Sequence, residues 1–359
     1  MKIKSITALI LCLALFCCCQ VENEAKDQWQ RIDELFSPWD RSDGPGCALG
    51  VVRNGKLVYA KGYGMADLKK MQAITANSIF DIASTSKQFT AMCIAILEAE
   101  GKLNMEDDVR DYIPELTQYD KVIRIRHLIF HTSGLADYLQ WATAADTEAS
   151  ILQKLRDKPL THGVGLKYEY TNTGYLLLGF IVRRITGKTL RQFADERIFQ
   201  PLGMTRTFFN DDISANSTIP FLAIGYWEPD PDHFIEYMPP INLVGNAGVN
   251  TSVNDLLLWD DNFYHNRLGR GGQALIDRML TIGALDDGTP LGANYAWGLV
   301  IDTYRGRRLV SHGGAFYGYC AQLMRLPDDR ISVILLANQA GFIPDTLSLN
   351  VIDILLENQ

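Results

Sequence analysis

Apolar and polar positions alternate with a period of two near both ends of the chain and repeat with a period near 3.6 through its middle, and that switch predicts the architecture. Close to the start, Gly46–Arg53 and Lys56–Gly64 are two strand-like runs separated by Asn54-Gly55, a dipeptide suited to the tight turn of a hairpin. Helical spacing follows Ser84: Phe89, Met92, Cys93, Ile96 and Leu97 fall on one face, and Gly101 stands where a stop is expected. Two more helices are expected around Ile151–Leu155 and over Tyr175–Thr186. Strand patterns return in Ala296–Ile301, Arg308–Ser311, Tyr319–Met324 and Ile331–Leu336, and a last helix runs over roughly Asp345–Leu356. Strands at the two ends with helices between them predict an α+β fold with α/β/α layering: one antiparallel sheet flanked by helices, with a mostly helical subdomain. The expected sheet part is about 29–83 and 240–359, the helical part about 84–239, and the cleft between them is the natural site.

The first 19 residues read differently. Lys2 and Lys4 precede an apolar run, Ile6–Cys19, that has signal-peptide length and is short for a membrane span, and polar Gln20–Glu24 follows abruptly. We therefore expect residues 1–19 to be a signal peptide and residues 20–359 to be one exported domain, periplasmic or membrane-anchored. Leu15-Phe16-Cys17-Cys18 and the adjoining Cys19 resemble a loose bacterial lipoprotein box, which makes Cys18 or Cys19 a candidate for a lipid anchor.

That leader holds four of the seven cysteines and leaves Cys47, Cys93 and Cys320 in apolar surroundings, where buried thiols are expected, with a Cys47–Cys320 bridge as the alternative. The formal net charge is -8, and removing the two leader lysines makes the remainder two units more negative, so nucleic acid is not an expected partner. Among six histidines, only His127 and His131 have a loosely metal-like spacing, and the apolar Leu128-Ile129-Phe130 between them argues against a metal site.

Three short segments carry candidate chemistry. Ser84-Thr85-Ser86-Lys87 opens a predicted helix, so the hydroxyl and the amine lie one turn apart on the same face, near the positive end of the helix dipole. A lysine that is to accept a proton must be desolvated or sit near other cations. Ser-x-x-Lys arises about once by chance in a chain this long, so the weight rests on what accompanies it. Tyr170-Thr171-Asn172 precedes the next apolar helix; in extended backbone the phenol and the amide point the same way, and a phenol beside an ammonium is expected to have a lowered pKa and to relay protons. His312-Gly313-Gly314 follows the strand Leu309-Val310, where paired glycines at a strand end let another backbone come close and the histidine offers a donor or partial charge.

Together these segments resemble the serine β-lactamase and penicillin-binding protein superfamily, in particular its class C β-lactamase-like branch, with Ser84 and Lys87 as first motif, Tyr170 and Asn172 as second and His312-Gly313-Gly314 as a variant third. The likeness extends, in family order, through Phe80–Ala83, Leu103–Val109, Tyr112–Glu115, His131–Leu135, Gly174-Tyr175 with Leu178-Gly179, Pro201–Met204 and Asn246-Ala247-Gly248. The resemblance implies a β-lactamase/transpeptidase-like fold and a serine hydrolase working through an acyl-enzyme. By it Ser84 is acylated, Lys87 and Tyr170 manage protons, and Asn172, His312, Gly313 and Gly314 bind substrate. The backbone N–H groups of Ser84 and Ala315 form the oxyanion hole, and no metal or organic cofactor is implied. His131–Leu135 reads as turn chemistry and packing.

His312 stands where the family has a permanent cation, and Gly313 where it has a hydroxyl. Recognition of a substrate carboxylate is therefore expected to be weak, which leaves an esterase or a peptidase of D-amino-acid peptides level with a β-lactamase. The substrate is then a small molecule or a peptide, with cell-wall fragments among the candidates. Asn246, where glycine is common, is a smaller departure. The alternative is a catalytically idle envelope binding or sensor protein of the same fold.

Overall fold

The computed structural model describes residues 28–357, so the leader and its candidate lipidation sites, Cys18 and Cys19, lie outside the described residues. Six strands form the central antiparallel sheet: β1 Cys47–Arg53, β2 Lys56–Tyr63, β3 Val300–Tyr304, β4 Arg307–Phe316, β5 Tyr319–Leu326 and β6 Ile331–Ala337, in the spatial order β3-β4-β5-β6-β1-β2. β1 and β2 close through Asn54-Gly55, both at positive φ, which is the expected hairpin. The two ends of the chain meet where β1 pairs with β6.

Successive side chains of a strand point to opposite faces, and both faces of this sheet are covered. On one face Leu49, Val51, Val333 and Leu335 pack with Ile32 and Phe36 of α1 (28–36) and with Val351 and Leu355 of α5 (Pro344–Leu356). On the other, Ala48, Val52, Ile334 and Leu336 join the large core built on α2 (Lys87–Ala99), α3 (Asn172–Thr186) and α4 (Val253–Asn262). This is the α/β/α sandwich, and each large aliphatic side chain so buried contributes roughly 1.5–3 kcal/mol. α4 is also tied to the sheet by a buried ion pair: Asp260 accepts from Arg325 of β5 at 2.6 Å and from Ser332 of β6 at 2.8 Å.

The cysteines are buried free thiols as expected, the alternative bridge falls, and two strand expectations are corrected. Cys47 and Cys320 carry no bridge, and Cys93 is likewise a free buried thiol; Cys47 and Cys320 both pair with Ala337, from opposite sides of β6. They are thus two strand spacings apart, roughly 10 Å, beyond the reach of a disulfide. His312-Gly313-Gly314 lies inside β4 and not beyond its end, because β4 runs on to Phe316. The strand expected over Ala296–Ile301 begins only at Val300. Gly298 sits at φ 70 in a turn pressed against the start of α2, where a Cβ would lie 2.6 Å from Gln88 N.

That contact makes Gly298 a support for the residues at the head of α2. Gly298→Ala meets both the left-handed backbone penalty and a backbone clash, and is expected to cost about 2–4 kcal/mol. Gly306→Ala, in the open β3–β4 turn at φ 75 with nothing within 4 Å, meets only the first, about 1–2 kcal/mol. Urea unfolding of the two variants measures the difference, and equal losses would show that the Gly298 contact yields.

Candidate active site

The nucleophile turn is built from the backbone outward. The short strand Phe80–Asp81 leads into a 3₁₀ turn, Ala83–Ser86, from which α2 continues, so Ser84 sits just before the helix proper. Asp81 is buried and accepts the N–H groups of Ala83, at 2.7 Å, and of Gly248. These bonds hold Ala83 at φ 47, a conformation that costs an L-residue about 1–2 kcal/mol. Burial, only partly offset by the two donors, pushes the Asp81 carboxyl up to about 7.

Lys87 is the most constrained group in the site. Its side chain is fully buried, and Nζ lies 3.0 Å from Ser84 Oγ, 2.9 Å from Asn172 Oδ1 and 2.8 Å from the carbonyl oxygen of Asn246. Burial brings its pKa down to about 7, opposed by the negative charge of Asp137. Two of the three partners are carbonyl oxygens, which only accept. A neutral Lys87 therefore commits its two N–H groups to Asn172 and Asn246 and turns its lone pair to the Ser84 hydroxyl.

Tyr170 and Asn172 approach the same amine from the start of α3. The amine lies 4.8 Å from the centre of the Tyr170 ring. Tyr170 keeps 38 % of its surface exposed as a wall of the cleft, while its hydroxyl contacts the Ser84 side chain. The expected lowering of its pKa is not found: burial holds the phenol well above its ordinary value, against a lowering contribution from Ser84. Asn172 is oriented by Asp137, whose Oδ2 accepts both its side-chain Nδ2–H, at 3.0 Å, and its backbone N–H, at 3.2 Å. That fixes the amide so that its carbonyl oxygen faces Lys87.

The third segment reaches the site along a strand edge. β3 pairs with β4 only as far as Ser311, so His312–Phe316 has β5 as its one strand partner, and the His312 carbonyl accepts instead from Thr85 Oγ1 of the nucleophile turn at 3.2 Å. Gly314 lies against the nucleophile turn, where a Cβ would stand 2.5 Å from Ile82 O and 2.7 Å from Ser84 N. Only glycine lets the strand come that close, and Ala315 follows beside it. His312 does not offer the expected donor. Its Nδ1–H is given to the Gly313 carbonyl at 2.6 Å, its Nε2 accepts from Tyr295 at 3.1 Å, and burial next to Lys87 lowers its pKa to about 4. Ser84, Tyr170, Tyr295, His312 and Ala315 line one cleft of about 510 Å³. A void of about 20 Å³ behind the nucleophile, among Asp81, Tyr138, Asn210 and Asn246, has room for a water but not for a substrate.

Several contributors are not evident from the sequence pattern. Asp137 acts through Asn172. Asn246, besides its carbonyl, accepts from Tyr138 at 2.9 Å through Oδ1, which gives that departure from glycine a task. His131 lies in the site wall, its ring 4.3 Å from that of Tyr170 and its Nδ1 accepting the Thr171 N–H at 3.2 Å. His127 turns instead to Asp286, at 2.9 Å. The spacing His131-x5-Asp137 offers no periodic signal that joins them to the second motif.

The family model described as Beta-lactamase matches residues 32–356. The chain is 29% identical over 305 residues to Penicillin-binding protein 4* of Bacillus subtilis, covering 79% of this chain and 66% of that protein. It is 32% identical over 314 residues to a D-aminopeptidase of Brucella ovis, covering 83% and 57%. The chain therefore spans less than two thirds of the length of these relatives. Among solved structures, the octameric penicillin-binding protein homologue from Pyrococcus abyssi superposes with a TM-score of 0.79 at 25% identity, over 93% of this chain and 77% of that one. FmtA from Staphylococcus aureus shares the fold with a TM-score of 0.77 at 23% identity, over 93% and 90%. With the sandwich, the motifs and a family match running through nearly all the described residues, the chain belongs to the beta-lactamase family.

Proposed function

We propose that the protein is a serine hydrolase that forms an acyl-enzyme on Ser84, in the manner of the class C-like branch, and cleaves esters, amides or D-amino-acid peptides. The observation that carries this reading is the coordination of Lys87: two fixed carbonyl acceptors and low solvation leave a neutral amine whose only free electron pair meets the Ser84 hydroxyl at 3.0 Å. In the reaction Ser84 Oγ attacks the substrate carbonyl as Lys87 takes its proton. The oxyanion is held by the N–H groups of Ser84 and Ala315. Tyr170, protonated because its pKa is high, gives its proton to the leaving group and regains one from the Lys87 ammonium. Water then attacks the ester as Lys87 takes its proton, the bond to Ser84 Oγ breaks, and the Lys87 ammonium returns the proton to that oxygen. The names of the relatives support a small-molecule or peptide substrate, with cell-wall fragments among the candidates. We place the protein outside the cytoplasm, periplasmic or lipid-anchored through Cys18 or Cys19, on the Lys2/Lys4 and Ile6–Cys19 pattern.

Two measurements test the assignment. A fluorophosphonate should label the purified protein on Ser84, with no labelling in Ser84→Ala and a rate about 10²–10⁴-fold lower in Lys87→Met; a different labelled serine would remove the assignment. The pH dependence follows from the direction of the Lys87 shift. The active form is the neutral amine, so kcat/KM for an uncharged ester should rise as pH increases through about 7 and stay level to about pH 9, since the Tyr170 phenol titrates far higher. An ascending limb centred near 10, the ordinary range of a lysine, would show that burial does not set the base.

A further inference from the structure

His131 has no part in the acyl-enzyme reaction, yet the fold holds it in place at a cost. The short helix Ile125–Ile129 is capped by Phe130, and His131 follows at φ 56, in the left-handed position that ordinarily takes glycine or asparagine. Its side chain is fully buried. Nδ1 accepts the Thr171 N–H at 3.2 Å, so the proton of the neutral ring lies on Nε2, which has no hydrogen-bond partner. Burial, with Lys87 and His312 adding to it, holds the ring's pKa well below its ordinary value. Strained backbone and an unpaired buried N–H persist together where a group is needed for something other than its own stability.

What His131 touches is the tripeptide that carries the proton donor. Its carbonyl oxygen accepts the Glu169 N–H at 2.9 Å and its Nδ1 accepts the Thr171 N–H, so the residues on both sides of Tyr170 are bonded to it. Between those bonds its ring lies 4.3 Å from the Tyr170 ring at an interplanar angle of 33°, closer than Tyr295 at 6.1 Å or His312 at 6.5 Å. Tyr170 keeps much of its ring open to the cleft, so His131 supplies the packing that confines it to one rotamer. Thr171 is also the N-cap of α3, its side chain accepting the Thr173 N–H, which ties the same short segment to the helix that carries Asn172.

We propose that His131 is a positioning residue for Tyr170, clamping the backbone on both sides of it and stacking on its ring so that the phenol hydroxyl stays on the Ser84 side chain, where the leaving group departs. This role rests on the acyl-enzyme reading and adds a residue to it. During acylation the bond from the carbonyl carbon to the leaving-group oxygen breaks as the Tyr170 O–H passes its proton to that oxygen, and the phenolate recovers a proton from the Lys87 ammonium. The step therefore depends on the placement of the phenol more strongly as the leaving group becomes more basic. A p-nitrophenolate departs without a proton, whereas an alkoxide needs one. Loss of the clamp is felt selectively, by the substrates that need the proton.

The test is kcat/KM for p-nitrophenyl, phenyl and trifluoroethyl acetates, in order of increasingly basic leaving group, with the full chain and its variants. In His131→Gly, which suits the left-handed backbone but removes the ring and its acceptor, the trifluoroethyl-to-p-nitrophenyl ratio should fall about 10²-fold. His131→Asn, which also suits that backbone and returns an acceptor, should recover part of it. In Tyr170→Phe the ratio is already low, and adding His131→Gly should lower it no further, because a residue that acts through the phenol then has nothing to position. An unchanged ratio in His131→Gly, or a further fall in the Tyr170→Phe background, overturns the role. Nitrogen NMR of the histidines in the unaltered protein needs no variant: His131 should be the Nε2–H tautomer at neutral pH, and an Nδ1–H tautomer overturns the clamp even where a variant fails to fold. Fluorophosphonate labelling separates the two readings: label on Ser84 with an unchanged ratio removes only the positioning role, whereas absence of label on Ser84 removes the acyl-enzyme reading beneath it.

Discussion

A lysine amine without solvent and without a carboxylate in contact is the constraint around which this site is arranged. Had an acid touched Lys87, the ammonium would be stabilised and no base would exist at neutral pH; had no negative charge been near, the fold would carry the full cost of a buried cation whenever it was protonated. The observed arrangement lies between. Asp137 is bonded to the Asn172 amide and acts on Lys87 only through that amide and at a distance, so it raises the pKa less than burial lowers it. The amine is left near 7, able both to take a proton and to return it.

The rest of the fold supplies rigidity to that compromise. Lys87 is held at the head of α2, which Gly298 braces from one side and the Gly314 segment of β4 approaches from the other. Each contact requires backbone where a side chain would intrude, and each comes from a different part of the chain. Asp81 adds the strained Ala83 turn that presents Ser84 ahead of the helix. Such strain persists only because the surrounding sandwich over-determines the turn.

What could be read from the sequence follows how local each signal is. Asn54-Gly55 dictates its hairpin within two residues, and Ser84 and Lys87 are one helical turn apart, so both were legible, as were α3 and α5. The Asn246 carbonyl reaches Lys87 across 159 residues as a backbone atom, which every residue possesses, so no side-chain pattern could reveal it. Ala296–Ile301 is apolar in either outcome, because a turn buried against a helix needs the same residues as a strand. α4 did leave a mark, since Ser252 caps it by accepting from Asp255 N–H, but the cap is a short motif among many. The Tyr170 pKa departs from the expectation because the burial that lowers the lysine also raises the phenol. The ammonium expected to favour a phenolate is itself only about half present near pH 7.

The variant third motif bears on one electrostatic question, the charge a substrate meets at the mouth. Where a permanent cation would draw a carboxylate, burial holds the His312 pKa down to about 4, so the ring is neutral near pH 7, with both ring nitrogens occupied by Gly313 and Tyr295. Lys87 is half neutral near 7 and buried behind the nucleophile. The chain as a whole carries -8, so its long-range field opposes an anion as well. Among the residues that line the catalytic cleft there is no lysine or arginine, while Asp345 adds a carboxylate. With its histidine neutral and both ring nitrogens bonded, the His312-Gly313 pair thus leaves the mouth without the local attraction for an anion that a permanent cation and a hydroxyl would give it.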